Sequence, residues 1–196
     1  MKTKTLLVLL LSSATLFGLP AQGAGITTAP FKPQERVEVL GNALQLNGSG
    51  VRIKDGQGIY YAALYLRERS GNAAAVLAAP GSKRLSMTML REVSADELGK
   101  LFTHRIKDNL EKAAMSKIVP GLIHMGQIFS QHHKLKAGET VTIDWLPGNS
   151  IQISVKGQSQ GEPFKDAEFS AALMNIWLGD APADGQLKDA LLGKKG

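Results

Sequence analysis

The stretch 48–66, GSGVRIKDGQGIYYAALYL, constrains the fold more than any other part of the sequence. It ends in an unbroken apolar and aromatic run, 59–66, and a run of this length is typical of a strand covered on both faces. The turn sequence Asp55-Gly56 precedes the run, and a segment carrying a single arginine, Arg52, precedes the turn. The sequence therefore predicts a cation close to the most buried strand, and Arg52 is the first candidate for a functional residue.

The start of this stretch, Gly48-Ser49-Gly50, is glycine-spaced but is not a nucleotide-binding motif. It lacks the further glycine and the helix start of a dinucleotide fingerprint. Glycines inside a strand more often mark a bulge or the close approach of another backbone. We therefore expect a bulge or a tightly packed neighbour here.

The N-terminal residues have the pattern of a secretory signal peptide. A basic start is followed by an apolar run over 6–19 and by a small-x-small sequence at 21–23. The apolar run is too short for a stable membrane anchor. We expect residues 1–23 to be removed and residues 24–196 to form one exported domain, periplasmic or secreted, without stable membrane insertion.

The composition excludes several classes of function. The chain has 196 residues and no cysteine, which rules out thiol catalysis, cysteine-bound zinc and iron–sulfur clusters. The formal net charge is +6, but the bases are not clustered with aromatic residues, so no nucleic-acid partner is expected. No HExxH motif is present, and neither Ser94 nor Ser130 has a nucleophile elbow around it. No metal site and no cofactor are predicted from these motifs.

The order of the predicted elements indicates an α+β fold. Apolar alternation or continuity predicts strands over 35–40, 44–47, 59–66, 83–90, 140–146 and 151–155. Helical spacing predicts helices over 73–79, 94–117, 122–134, 169–177 and 184–192. Ser94 and Glu97 form a capping-box pattern, Pro120 is expected to break the chain between two helices, and Gly41-Asn42 is a hairpin signal. Because the turns between strands are short, the sheet is expected to be mostly antiparallel, with its helices on one face.

Five segments, in order along the chain, resemble the bacterial branch of the chalcone isomerase-like family. They are LNGSGVR at 46–52, IYYAALYL at 59–66, LREVS at 90–94, IWLG at 176–179 and the segment 187–193. The resemblance implies an open β-sandwich with a helical layer on one face and a cleft between sheet and helices. Plant members of this family close a chalcone into a flavanone, and related plastid members bind fatty acids.

The resemblance also implies roles for individual residues. Arg52 falls on the arginine that both branches use, and Tyr60 looks like the tyrosine that holds a fatty-acid carboxylate together with that arginine. Two polar positions of the isomerases fall on Leu98 and Ile176 here, so the isomerase set is incomplete. The implied function is the non-catalytic binding of a small apolar, fatty-acid-like ligand with a carboxylate or carbonyl head. The alternative is an isomerase, an intramolecular lyase acting on a chalcone-like enone, in which Arg52 and Tyr60 stabilise the enolate.

The chemistry of the candidate residues allows more than one interpretation. A guanidinium binds a carboxylate through two parallel hydrogen bonds, but Arg52 could instead form a structural ion pair with Asp55 or Glu68. Tyr60 and Tyr61 point to opposite faces of a regular strand. One of the two can therefore enter the cleft while the other packs, and both are candidate ligand-binding residues.

Two adjacent histidines, His132 and His133, are the remaining candidates for a binding site. On a helix their side chains diverge by about 100°, so the pair is poorly arranged for a shared metal ion. Either one could be a single axial ligand of haem or another tetrapyrrole, or both could belong to a solvated helix end. A structural or protein-interaction role with a collapsed cleft is a third class of function.

Overall fold

The computed structural model describes residues 32–194, and one antiparallel sheet dominates it. The predicted signal peptide, 1–23, lies outside the described residues. The strands are β1 (Arg36–Val39), β2 (Asn42–Lys54), β3 (Gln57–Leu66), β4 (Lys83–Met89), β5 (Val93–Ser94), β6 (Lys134–Leu135), β7 (Thr140–Leu146), β8 (Ser150–Val155), β9 (Gln158–Ser159) and β10 (Phe164–Lys165). The main sheet has the order β1-β2-β3-β4-β7-β8-β10 with β9 beside β8, and β5 and β6 form a separate pair. Every pairing is antiparallel, as the short turns predicted.

Two hairpin turns set the register of the first three strands. The β2–β3 turn places Asp55 and Gly56 at φ values of 52° and 74°, the left-handed pair that a two-residue type I′ turn requires. In the β1–β2 turn the left-handed residues are Leu40 and Gly41, at 48° and 74°. The predicted turn at Gly41-Asn42 is therefore one residue too late. Asn42 instead begins β2, and its side chain donates to the carbonyl of Leu40 at 3.1 Å.

Between residues 32 and 194 the structure also contains five α-helices and one 3-10 helix. They are α1 (Ala73–Ala78), α2 (Ala95–Asp108), the 3-10 helix Lys112–Ile118, α3 (Val119–Ser130), α4 (Ala167–Leu178) and α5 (Gly185–Leu191). The hydroxyl of Ser94 caps α2 by accepting from the backbone N–H of Glu97 at 3.0 Å. The Glu97 carboxylate binds Arg91 at 2.7 Å, so only half of the predicted capping box forms.

The predicted end of α2 and start of α3 were wrong. The second helix ends at Asp108 rather than near residue 117, because the Asn109 side chain binds the backbone of Ala181 through both its amide nitrogen, at 2.8 Å, and its oxygen, at 2.9 Å. Pro120 does not break the chain. It lies in the first turn of α3, where its missing N–H costs no hydrogen bond.

The main sheet has two apolar faces of unequal size. All five helices pack on one face, which forms the larger core with Tyr60, Phe102 and Trp177. The other face carries a smaller cluster of Val39, Leu44, Ala63, Tyr65 and Leu146. The predicted α+β architecture, with helices on one face of a mostly antiparallel sheet, is confirmed. None of the helices within 32–194 combines the length and the apolarity needed to cross a bilayer.

Candidate ligand site at Arg52

Strand β2 brings Arg52 to the helix-covered face of the sheet, immediately beyond the packing site of α5. A Cβ on Gly50 would lie 2.7 Å from the Cβ of Ala190, and one on Gly48 would overlap the carbonyl oxygen of Ala190. The pairing of β2 with β3 also shifts register between Leu46 and Gly48. The expectation of a bulge and a close neighbour at 48–50 is therefore confirmed. Because α5 occupies the glycine positions, the next residue of the same face, Arg52, stands where that helix begins.

The carboxylate nearest to the start of α5 is committed to the backbone. Asp184 caps the helix, accepting from the N–H of Leu187 through Oδ1 at 3.0 Å and from the N–H of Ile53 through Oδ2 at 3.1 Å. These two bonds tie the end of β2 to the start of α5. Asp184 forms no ion pair with Arg52, although the charges of both residues act on the buried Tyr60 hydroxyl.

The Arg52 side chain is buried without an anionic partner. The residue is 6% exposed, and its Nε lacks a hydrogen-bond partner. Across residues 32–194, no carboxylate lies within 4.0 Å of the Arg52 guanidinium, the limit for an ion pair. The alternative pairing of Arg52 with Asp55 or Glu68 therefore does not form. The guanidinium carbon instead lies 5.8 Å from the ring centroid of Tyr60, its direct cross-strand neighbour. A cation–π contact compensates the desolvation of a guanidinium only in part.

The ring of Tyr60 contacts Arg52, whereas its hydroxyl is hydrogen-bonded inside the core. The residue is fully buried, and its Oη accepts a hydrogen bond from Trp177 Nε1 at 3.0 Å. Burial raises the pKa of Tyr60 to about 12, although the nearby Arg52 charge acts to lower it. The hydroxyl is therefore neutral at physiological pH.

A hollow of about 340 Å³ opens beside Arg52, between the β2–β3 hairpin and α2. Tyr60 is not part of its wall. The apolar lining residues are Ile59, Val93, Leu98 and Leu101, and the charged or titratable ones are Arg52, Lys54, Glu97, Lys100, His104 and Arg105. The site therefore combines an apolar wall with an excess of positive charge.

Most of the lining charges already have partners on α2 or beside it. Glu97 binds Arg91, Lys100 binds Asp96 at 2.7 Å and Arg105 binds Asp108 at 3.0 Å. Among the lining lysines and arginines, only Arg52 and Lys54 have no acidic partner in the part of the chain that the structure describes. The sequence interpretation overlooked Lys54, although two residues along a strand from Arg52 it belongs to the same face.

Tyr61, the other candidate tyrosine, lies on the opposite face of the sheet. It packs beside the smaller cluster, and its Oη donates to Ser49 Oγ at 2.6 Å. The structure therefore brings Arg52 and Tyr60 together and separates Tyr61 from both. Of the two positions where the family resemblance implied lost polar groups, Leu98 lines the hollow and Ile176 is buried in the main core.

The candidate haem ligands border a second depression, the α2–α3 groove. His132 and His133 line this groove of about 850 Å³ together with His104 and Met125. His132 Nε2 lies 2.8 Å from Gln160 Oε1, whereas His133 is exposed. Within residues 32–194, no group of three or more His, Asp or Glu side chains is arranged to hold a metal ion.

Comparison with known proteins agrees with this architecture. The sequence model of a family described as chalcone isomerase-like matches residues 25–193. The chain belongs to the chalcone isomerase-like family. Among solved structures, a fatty-acid binding protein of Arabidopsis thaliana is similar, with a TM-score of 0.63 and 14% sequence identity over 81% of this chain and 97% of that one. No curated protein matches the sequence.

These comparisons confirm the family and the fold expected from the five sequence segments. At 14% identity the structural similarity concerns the fold alone. The function must therefore be argued from the residues at the site.

Proposed function

We propose that this chalcone isomerase-like protein binds a small, largely apolar molecule through a carboxylate head at Arg52 and does not convert it. The observation that supports this proposal most directly is the burial of Arg52. This residue is 6% exposed, lacks an acidic partner among the described residues and borders a hollow. A buried charge without a counter-charge is unfavourable. A carboxylate from outside the chain would remove this penalty and would form two hydrogen bonds with the guanidinium.

The lining of the hollow supports a ligand with one charged end and an apolar body. Lys54 adds a second cation near the head group, and Ile59 and Leu98 offer apolar surface to the body. The ring of Tyr60 lies against Arg52 and restricts where the guanidinium can move. The structurally similar Arabidopsis protein is a fatty-acid binding protein, which agrees with this division of roles.

The same geometry favours binding over isomerisation. Stabilising an enolate needs donors aimed at the developing charge, and the Tyr60 hydroxyl lies outside the wall of the hollow, bonded to Trp177. Leu98 gives the α2 side of the wall an apolar group. The remaining unpaired cations of the hollow, Arg52 and Lys54, can anchor an anion. They do not replace the hydroxyl donor that an isomerase would use.

The first test is to identify what the protein carries and whether Arg52 holds it. Protein purified from its native host should release an organic acid on solvent extraction, detected by mass spectrometry. Arg52→Gln should weaken binding of that acid about ten- to a hundredfold, the loss of a charge-assisted hydrogen-bond pair. Arg52→Lys should lose less, since it keeps the charge but not the fork. Arg36→Gln, an exposed position on β1, is the matched control and should bind normally.

Other outcomes of the same experiment would support the alternatives. Turnover of a chalcone that depends on Arg52 would contradict non-catalytic binding and favour the intramolecular lyase. A Soret band that survives Arg52→Gln would favour haem or another tetrapyrrole in the α2–α3 groove, where three histidines lie.

Export is part of the same proposal. The family match begins at residue 25, just after the predicted leader, and this supports a mature domain that starts at Ala24. Edman sequencing of the protein recovered from the periplasm or medium should begin at that residue.

A further inference from the structure

The hollow at Arg52 is small enough to limit the size of its ligand. Its volume of about 340 Å³ corresponds to roughly eleven water-sized groups at about 30 Å³ each. A ligand that fits entirely therefore has about ten to twelve non-hydrogen atoms. A sixteen-carbon fatty acid, or a chalcone with its two rings, is larger by about half or more.

The inner wall of the hollow belongs to the main buried core. This wall includes Ile59 and Leu98, each at most 2% exposed, and both belong to the same core cluster as the aromatic residues Tyr60, Phe102 and Trp177. Phe102 lies edge-on to Trp177 at 5.3 Å between ring centroids, and Trp177 is bonded to Tyr60. Close-packed side chains of this kind do not part for a tail without a large loss of contacts.

The outward route along α2 is also unfavourable for an apolar tail. The hollow and the α2–α3 groove meet at Lys100 and His104, which line both. Lys100 is paired with Asp96 at 2.7 Å, and His104 lies 3.6 Å from Asp108. An apolar tail crossing this rim would displace water from charged groups, which is unfavourable.

We propose that the ligand is a medium-chain or aromatic monocarboxylic acid of about ten non-hydrogen atoms, the size of octanoate or 3-phenylpropanoate. This inference rests on the proposed function, because it takes Arg52 as the anchor of the carboxylate. A long-chain fatty acid or a chalcone is too large to lie entirely within the hollow and would have to extend past its rim at Lys100 and His104. The position of Arg52 selects the head group, and the aromatic core behind Leu98 selects the chain length.

A chain-length series tests this limit. Hexanoate, octanoate, decanoate, dodecanoate and hexadecanoate are titrated by calorimetry below their aggregation concentrations, in parallel with 3-phenylpropanoate. Affinity should rise about fourfold per added methylene, as expected for apolar burial, up to about eight or ten carbons, and then level off or fall. A rise that continues to hexadecanoate would overturn the size limit and leave the anchor at Arg52 intact. Binding of no acid in the series, or binding that Arg52→Gln does not weaken, would overturn the proposed function itself.

A pair of matched leucine variants makes the test specific to this hollow. Leu101 is half-buried in its wall, and Leu122 is half-buried in the α2–α3 groove but outside the hollow. Leu101→Ala enlarges the site and should move the preferred chain length up by about two or three carbons, whereas Leu122→Ala should not change it. The same preference in both variants, shifted or not, would contradict the assignment of chain-length selection to this hollow.

Discussion

Two arginines on opposite faces of the same sheet differ in whether they have an internal carboxylate as a partner. On the face with the smaller cluster, Arg84 of β4 stands directly across from Asp144 of β7, and its Nε and Nη2 both reach the carboxylate at 2.6 Å. This pairing raises the pKa of Arg84. On the helix-covered face, Arg52 stands across from Tyr60, which offers it a ring and no negative charge.

The comparison shows that strand register decides which arginine is structural. Both side chains are held in the sheet, so both lose part of their hydration. The ion pair with Asp144 compensates Arg84 for this loss of hydration. Arg52 has no such internal partner, and its Nε can still donate a hydrogen bond to a molecule from outside the chain. Three predictions test this difference between the two faces.

The largest expected effect separates the two arginines by stability. Arg84→Met leaves the Asp144 carboxylate, 8% exposed, without its partner and should lower the free energy of unfolding by about 3 kcal/mol. Arg52→Met removes an unpaired buried charge and should change it by less than about 1 kcal/mol, or raise it. Urea denaturation of the ligand-free proteins measures both. An equal loss in the two variants would mean that Arg52 has an internal partner after all.

A second prediction uses alkaline pH to probe the helix-covered face. The pKa of Tyr60 is about 12 in the folded protein against an ordinary value of 10.0, so the native state binds this proton more tightly than the unfolded state. The resulting stability is complete below pH 10.0 and is lost as the pH rises through about 12, by about 2 to 3 kcal/mol in all.

Tyr60→Phe is the control for this alkaline loss. It has no phenol to ionise at that position, so its stability should fall less than that of the native protein over the same range. Unfolding free energies of both proteins across this pH interval provide the measurement. Curves that stay parallel would show that another group is responsible.

The smallest expected effect compares the two adjacent tyrosines at neutral pH. Tyr60→Phe leaves the Trp177 N–H unsatisfied in the core and should cost about 1 to 2 kcal/mol. Tyr61→Phe loses a bond to Ser49, which is only half-buried and can turn to water, so the cost should be about 0.5 kcal/mol.

Ligand titrations with the same tyrosine variants show whether either hydroxyl touches the ligand. Both variants should bind the acid within about threefold of the native protein, since neither hydroxyl lines the hollow. If Tyr60→Phe instead loses as much affinity as Arg52→Gln, the hydroxyl contacts the carboxylate directly.

Local patterns in the sequence were sufficient for most of the fold. The apolar run at 59–66 and the turn at Asp55-Gly56 predicted the central hairpin, because both depend on neighbouring residues. The glycines at 48 and 50 predicted a close neighbour, and α5 is that neighbour. The end of α2 was misplaced because Asn109 finds its partner at Ala181, a contact between residues far apart in the sequence.

The sequence by itself determined that an arginine stands beside the most buried strand, since hydrophobic pattern and turn chemistry are local properties. Only the tertiary structure decided that this arginine is unpaired. Glu68 lies beyond the far end of β3, and the two carboxylate oxygens of Asp184 accept hydrogen bonds from the N–H groups of Leu187 and Ile53. The hollow itself likewise exists only in the tertiary structure, because its lining comes from the β2–β3 hairpin, from β5 and from α2. Charge pairing and cavity volume depend on contacts between distant segments, and no local pattern encodes them.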